Sequence, residues 1–250
     1  VDHSLNNIVI VLISPRVPEN IGAAARAMKN FGLRNLRVVS PRTYDADRAY
    51  KLARGGKDII DNMLITNCLK DATEDLVLVG ATTARQGNAR SDLIYTPEEG
   101  CPKLIEGTRN GKVGILFGPE EHGLSTRDLD LSSINITIPT SPDYSSLNLG
   151  QAVLLMCYQL FSSSVNIPKA HIKRRAEKTL ATGKEKEAFF ESARKFLLKA
   201  GFLNKENPDA VLLHLRKLLN RAIPTTDEVK ILRGIIRQVK WYTKNKPSDD

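Results

Sequence analysis

The stretch ITIPTSPDYSSLNLGQAVLLMCYQLFSSS, Ile136 to Ser164, reads as strand, loop and helix in immediate succession. Ile136, Ile138 and Pro139 close a short apolar run. Thr140 to Ser146 is loop material, because Pro, Asp, Ser and Tyr compete with regular backbone pairing. The pattern predicts a helix beginning near Ser145–Leu147. Its body, Ala152 to Phe161, is almost entirely apolar. A helix apolar all round is buried on all sides, by the core or by a partner subunit. The polar SSLN loop is thereby pinned at the mouth of a buried helix, where free N–H groups can meet a ligand. A capped core helix without a ligand is the competing reading of this stretch alone.

Working outward, apolar runs predict strands at Ile8–Ser14, Leu36–Ser40, Met63–Thr66, Leu76–Gly80, Val113–Phe117 and Ile134–Ile138. Helical patterns lie between them. In PRVPENIGAAARAMKNFG, Asn20 is expected to cap a helix whose buried stripe is Ile21, Ala24, Ala25 and Met28 and which Gly32 ends. Gly22 and Arg26 fall near one another, away from that stripe, and small Gly22 and Ala23 leave room for something to approach. Asp45–Arg54, Asn67–Glu74 and Pro97–Arg109 are further helical segments, and Ser125 with Asp128 resembles a capping box. Strands alternating with helices predict an α/β fold with a mainly parallel sheet and helices on both faces. Three polar loops leave strand ends: Thr82–Arg85, Gly118–Gly123 and Thr140–Asn148. Ligands of open α/β sheets bind beyond the carboxyl ends of strands, so these loops form one pocket if their strands are neighbours. G-x-G-x-x-G, G-x-x-x-x-G-K-[ST] and G-x-S-x-G are all missing, which speaks against a dinucleotide fold, a P-loop NTPase and a hydrolase elbow.

The 250 residues are 41% hydrophobic, enough for one large or two smaller cores. No run approaches the ~18 apolar residues of a membrane span. Cys68, Cys101 and Cys157 are far apart without a CxxC pair, and His3, His122, His171 and His214 are scattered; neither a disulfide framework nor a metal site is expected. No signal-peptide pattern opens the chain, and a cytoplasmic protein is expected, an organellar one whose transit peptide has been removed being the other option. Charge is unevenly placed. Residues 1–165 hold 17 Lys+Arg against 18 Asp+Glu, a net of −1, whereas residues 166–250 hold 20 against 10, a net of +10. This predicts a neutral domain, 1–165, a basic linker, 166–183, and a basic all-helical domain, 184–250, that binds a polyanion. Helices are expected at Lys184–Ala200, Pro208–Ala222 and Asp227–Tyr242, with cations on their outer faces.

PENIGAAARAMKNFGL, ILFGPEEHGLS and IPTSPDYSSLNLGQAV together resemble the three motifs of the SPOUT methyltransferases of the TrmH type. FLLKAGFL, LRKLLNRA and ILRGIIRQV are similar to the helical extension of the TrmJ branch. The resemblance implies a deep C-terminal trefoil knot, which periodicity cannot reveal because knots are nearly absent from proteins. It also implies a homodimer, S-adenosylmethionine as methyl donor, no metal, and methylation of a ribose 2′-hydroxyl at nucleotide 32 in the tRNA anticodon loop. Related enzymes acting on ribosomal RNA, and non-catalytic RNA-binding proteins of the same fold, are the alternatives. Carried over by motif, Thr82, Thr83, Ala84, Gly118, Ile138, Ser145, Ser146 and Leu147 are the donor-binding positions. Asn20, Arg26, Glu120, Ser146 and Asn148 match catalytic or substrate-ordering positions. Arg26, Lys173, Arg174, Arg175, Arg216, Lys217 and Arg221 are the expected RNA contacts.

Methyl transfer from a sulfonium is an in-line displacement in which positioning supplies much of the rate. The difficulty is the nucleophile, a weakly acidic hydroxyl. The family mechanism often gives the role of base to the arginine matching Arg26, but a guanidinium is effectively always protonated. Arg26 is better suited to hold a substrate phosphate and stabilise the developing alkoxide. Ser146, Asn148 or the RNA phosphate then orients or accepts the proton.

Overall fold

The computed structural model describes residues 3–84, 94–165, 179–203 and 208–244. Its centre is a seven-stranded sheet built from β1 (Ile8–Ile13), β2 (Asn35–Val39), β3 (Leu64–Thr66), β4 (Leu76–Thr82), β5 (Ile94–Tyr95), β6 (Lys112–Phe117) and β7 (Ile134–Ile136). The strands lie in the order β3-β2-β1-β6-β4-β7-β5, and every pairing is parallel. β1 is buried along its whole length, as the continuous run IVIVLI requires of a central strand covered on both faces. Ile8, Ile10 and Leu12 point into one core layer, and Val9, Val11 and Ile13 into the other.

The first layer is covered by α1 (Pro18–Asn30), α2 (Ala46–Ala53), α3 (Lys57–Asp61), α5 (Pro97–Gly107) and α7 (Leu149–Val165). The thinner second layer is covered by α4 (Leu69–Thr73) and α6 (Thr126–Leu129), the latter started by the expected Ser125–Asp128 capping box. The two-residue β5 is the one strand the sequence pattern did not predict, since so short an edge strand shows no period.

Two expectations about α7 are corrected. It starts at Leu149 rather than at Ser145–Leu147. The Asn148 side chain caps it, its Oδ1 accepting the N–H groups of Gly150 at 2.9 Å and Gln151 at 3.3 Å, so the serines stay in the loop. Nor is the helix buried all round within one chain. Val153, Met156, Cys157 and Leu160 are buried against the sheet domain, but Leu154, Leu155, Tyr158 and Phe161 are 40–54% exposed. Phe31 at the end of α1 packs against the rings of Tyr158 and Phe161 at centroid distances of 5.8 and 5.9 Å.

Three further helices follow: α8 (Gly183–Lys199), α9 (Pro208–Ala222) and α10 (Thr226–Lys244). Phe190 and Ala193 of α8, Leu212 and Leu219 of α9 and Val229 of α10 are buried. They lie against the second face of the sheet domain. Asn220 donates to the Asp130 carbonyl at 3.0 Å, Lys217 pairs with Asp130 at 3.1 Å, and the Lys184 N–H donates to the Glu74 carbonyl at 3.0 Å. Among the described residues no helix is long and apolar enough to cross a membrane, and the three cysteines are free.

One ion-pair group clasps the sheet from below. Arg37 of β2, almost fully buried, donates to both oxygens of Asp75 at 2.5 and 2.9 Å and to the Ala72 carbonyl at 2.8 Å. Lys112 of β6 reaches the same carboxylate at 3.0 Å. The Arg37 hydrogen bonds hold the Asp75 carboxyl far below its ordinary range, against the opposing pull of burial, with Lys112 assisting. A carboxyl lowered on folding contributes stability that is present above its unfolded pKa of about 4 and is lost as pH falls below that. The denaturant midpoint of the native chain should therefore exceed that of Asp75→Asn at pH 6, and the gap should narrow towards pH 3. A gap independent of pH would show that the pair does not contribute through the charge of Asp75.

Candidate active site

β6, β4 and β7 are neighbours, so the loops that follow them open side by side at the carboxyl end of the sheet. Between them lies a cavity of about 270 Å³. All eight expected donor-binding residues line it: Thr82, Thr83, Ala84, Gly118, Ile138, Ser145, Ser146 and Leu147. Hydrogen bonds fix two of the walls. The Thr83 N–H donates to the Ile136 carbonyl at 2.9 Å, Thr137 Oγ1 donates to the Thr83 carbonyl at 2.8 Å, and Thr82 Oγ1 donates to the Leu116 carbonyl at 3.0 Å. The third wall is the turn from Gly118 to Leu124, closed by the Gly123 N–H on the Pro119 carbonyl at 2.9 Å, with Gly123 at φ +64°. A Cβ on Gly118 would stand 2.2 Å from the backbone of Gly123 and Leu124, so only glycine lets this turn fold back on itself.

Beside the cavity runs a chain of side-chain hydrogen bonds. Asn148 Nδ2 donates to Asn20 Oδ1 at 3.0 Å, and Asn20 Nδ2 donates to Glu120 Oε1 at 2.7 Å. Glu120, which also lines the cavity, accepts the backbone N–H of Arg16 at 3.0 Å and of Val17 at 3.4 Å. Burial alone would raise the Glu120 pKa, but the donors from Asn20, Arg16, its own N–H and Val17 outweigh it and hold the carboxyl below its ordinary value. The carboxylate is thus an ionised fixture that gathers three chain segments.

Asn20 does not cap α1, contrary to expectation. The helix starts two residues earlier, with Pro18 at its first position and Val17 before it. Proline suits that position because its missing N–H is not needed there. Buried Asn20 sits inside the first turn, its amide free to bridge Glu120 and Asn148. Gly22 and Ala23 are not open either. A Cβ on Gly22 would lie 2.0 Å from the Ala49 carbonyl oxygen, and Ala23 faces Gly150, so the small residues serve close helix packing against α2 and α7.

Ser146 and Asn148 are exposed, and of the two only Ser146 lines the cavity. Arg26 is exposed on α1 and does not line it. Glu121 and His122 do line it, and sequence reasoning missed them although they lie inside the GPEEHG motif. Of the expected RNA contacts, Lys173, Arg174 and Arg175 lie outside the described residues. Arg216 forms a two-pronged pair with Glu187 at 2.7 and 2.5 Å and lies over the Phe190 ring, Lys217 is paired with Asp130, and Arg221 is exposed. Along α10, Arg233, Arg237 and Lys240 share one groove and have no carboxylate partner among the described residues. No group of three or more His, Cys, Asp or Glu among the described residues could hold a metal ion.

The sequence matches the SpoU rRNA methylase family over residues 7–158 and the C-terminal domain of the tRNA methyltransferase TrmJ over residues 184–249. It is 32% identical over 241 residues to the tRNA (cytidine/uridine-2′-O-)-methyltransferase TrmJ of Photorhabdus laumondii, covering 96% of this chain and 100% of that protein. It is 33% identical over 252 residues to TrmJ of Cronobacter sakazakii, covering 97% of this chain and 100% of that one. The crystal structure of TrmJ from Z. mobilis ZM4 superposes with a TM-score of 0.80 at 34% identity, covering 93% of this chain and 98% of that chain. Sequence and fold agree over nearly the whole length, and the chain belongs to the SpoU methylase family, with the C-terminal domain of its TrmJ branch.

Proposed function

We propose that the chain transfers a methyl group from S-adenosylmethionine to a ribose 2′-hydroxyl of tRNA, at nucleotide 32 of the anticodon loop, in the cytoplasm. The observation that carries this reading is the convergence of eight motif residues on one cavity, with the Asn148–Asn20–Glu120 chain beside it. The names of the TrmJ relatives supply the substrate class. The cavity suits the donor: Phe117, Ile138, Leu149 and Ala152 offer apolar surface for a purine, and Thr82, Thr83, Ser145 and Ser146 offer hydroxyl and backbone groups for polar parts. Bound there, S-adenosylmethionine supplies a methyl on a sulfonium, open to in-line attack.

The roles of the protein groups follow from what each already holds. Asn148 is spent, its amide on Asn20 and its oxygen on the start of α7, so it positions the loop rather than accepting a proton. Glu120 is equally committed to fixing Asn20 and the loop after β1. Ser146, exposed at the mouth, and the phosphate of the RNA remain to orient or accept the hydroxyl proton. Arg26 holds substrate phosphate and stabilises the developing alkoxide.

We further infer a homodimer that covers the exposed apolar face of α7, since Leu154, Leu155, Tyr158 and Phe161 form a contiguous patch of the kind that marks interfaces. A trefoil knot at β7 and α7 is supported by the insertion of β7 between β4 and β5. Residues 1–165 form the methyl-transfer unit, 166–183 the linker, and 184–250 a domain that grips tRNA phosphates through cations such as Arg221, Arg233, Arg237 and Lys240.

Labelled methyl transfer to unmodified tRNA transcripts, mapped by mass spectrometry, tests the reading. Label on a ribose of the anticodon loop is expected; label only on ribosomal RNA transcripts would redirect the assignment to that substrate. Gly118→Ala should weaken donor binding by at least roughly tenfold in calorimetry, because the added methyl displaces a pocket wall; a native Kd would place the donor elsewhere. Arg26→Ala should cut turnover by roughly a hundredfold while the donor Kd changes little. Native turnover would remove Arg26 from the chemistry.

A further inference from the structure

β1, the neighbour of β6, and β2 beyond it both end in strained turns. Ser14 after β1 has φ +46° and Ser40 after β2 has φ +43°, the left-handed region that residues with a Cβ avoid. Strain of this kind persists only where the surroundings enforce it and gathers at functional sites. Here the Ser14 N–H donates to the Val39 carbonyl at 2.7 Å and Ser40 Oγ donates to the Asn67 carbonyl at 2.6 Å. The turns deliver Arg16 and Arg42, whose segments are tied by the Arg42 N–H on the Pro15 carbonyl at 3.1 Å.

Both guanidiniums close on one carboxylate. Arg16 Nη1 meets Glu121 Oε1, and Arg42 Nη1 lies 3.5 Å from Glu121 Oε2. Glu121 lines the cavity, and the Arg16 backbone is held by Glu120. The two arginine side chains are 58% and 53% exposed and Glu121 is 36% exposed. Exposed pairs of this kind contribute little stability, so exchanging the carboxylate for another anion costs little.

We propose that Arg16 and Arg42 form a phosphate subsite for the RNA strand at the rim of the cavity, and that Glu121 holds the two guanidiniums in place until the phosphate displaces it. The chemistry of the substrate demands such a site. A ribose 2′-hydroxyl is flanked by phosphodiesters on both sides, so a nucleotide entering the cavity brings a phosphate to its edge. Paired guanidinium forks match phosphate oxygens in geometry as well as charge. Arg16 and Arg42 bind and orient; they take no part in bond making.

This inference rests on RNA being the substrate, and the test separates the two claims. Binding of an unmodified tRNA transcript to the full chain is measured across a salt series for the native protein and for R16A/R42A, R16K/R42K and E121Q, with melting temperatures to verify folding. R16A/R42A should bind roughly tenfold more weakly, with a salt slope smaller in magnitude by about one. R16K/R42K should keep the native slope but lose part of the affinity, because the charge remains and the fork does not. E121Q should bind several-fold more tightly, because the competing carboxylate is gone. Native affinity and slope in R16A/R42A would overturn the subsite while leaving the RNA reading standing. Weaker binding by E121Q would overturn the displacement. No binding of RNA by the native chain would overturn the subsite together with the proposed substrate.

Discussion

The carboxyl end of the sheet depends on one buried amide. Asn20 accepts from Asn148 and donates to Glu120, joining positions 128 and 100 residues away along the chain. Each partner then holds something else. Asn148 caps α7, and Glu120 gathers the N–H groups that follow β1. Without this bridge, three loops from three parts of the sequence would have no common reference. An amide suits the position because it donates and accepts at once, and a buried polar group of this kind is tolerated only when both capacities are used.

Strand order does the remaining work. The loops after β4, β6 and β7 are separated by long stretches of sequence, yet they share a cavity because those strands lie next to one another in the sheet. A parallel arrangement sends every carboxyl end the same way, so polar loops collect at one edge while the apolar interiors of the strands stay covered. Gly118 completes the wall by permitting a backbone contact that any side chain would prevent. The cavity is therefore a consequence of topology, tuned by a few residues of unusual shape.

Much of this is legible in the sequence. The run IVIVLI could only be a doubly covered strand, and the alternation of strands and helices dictated a parallel sheet. The residues expected to bind a donor could be named by motif, and all eight line one cavity. What could not be read was where side chains turn in three dimensions. Asn20 has the chemistry of a cap, but Pro18 starts the helix earlier and releases Asn20 for the bridge. Gly22 looked like free space and is instead filled by the backbone of α2. Arg216 and Lys217 looked like outward cations, but Glu187 and Asp130 lie within reach once α9 packs. The apolar circumference of α7 announces burial without saying by what, and in the single chain Leu154, Leu155, Tyr158 and Phe161 are exposed. Each of these depends on contacts between segments far apart in sequence, about which local periodicity is silent.

The most direct measurement of the central claim is a crystal structure of the chain soaked with S-adenosylhomocysteine, the demethylated form of the proposed donor. The account predicts density for the ligand in the cavity walled by Thr83, Gly118 and Leu147, with Asn20 still bridging Glu120 and Asn148. Density at another site, or none here at saturating ligand, would contradict it.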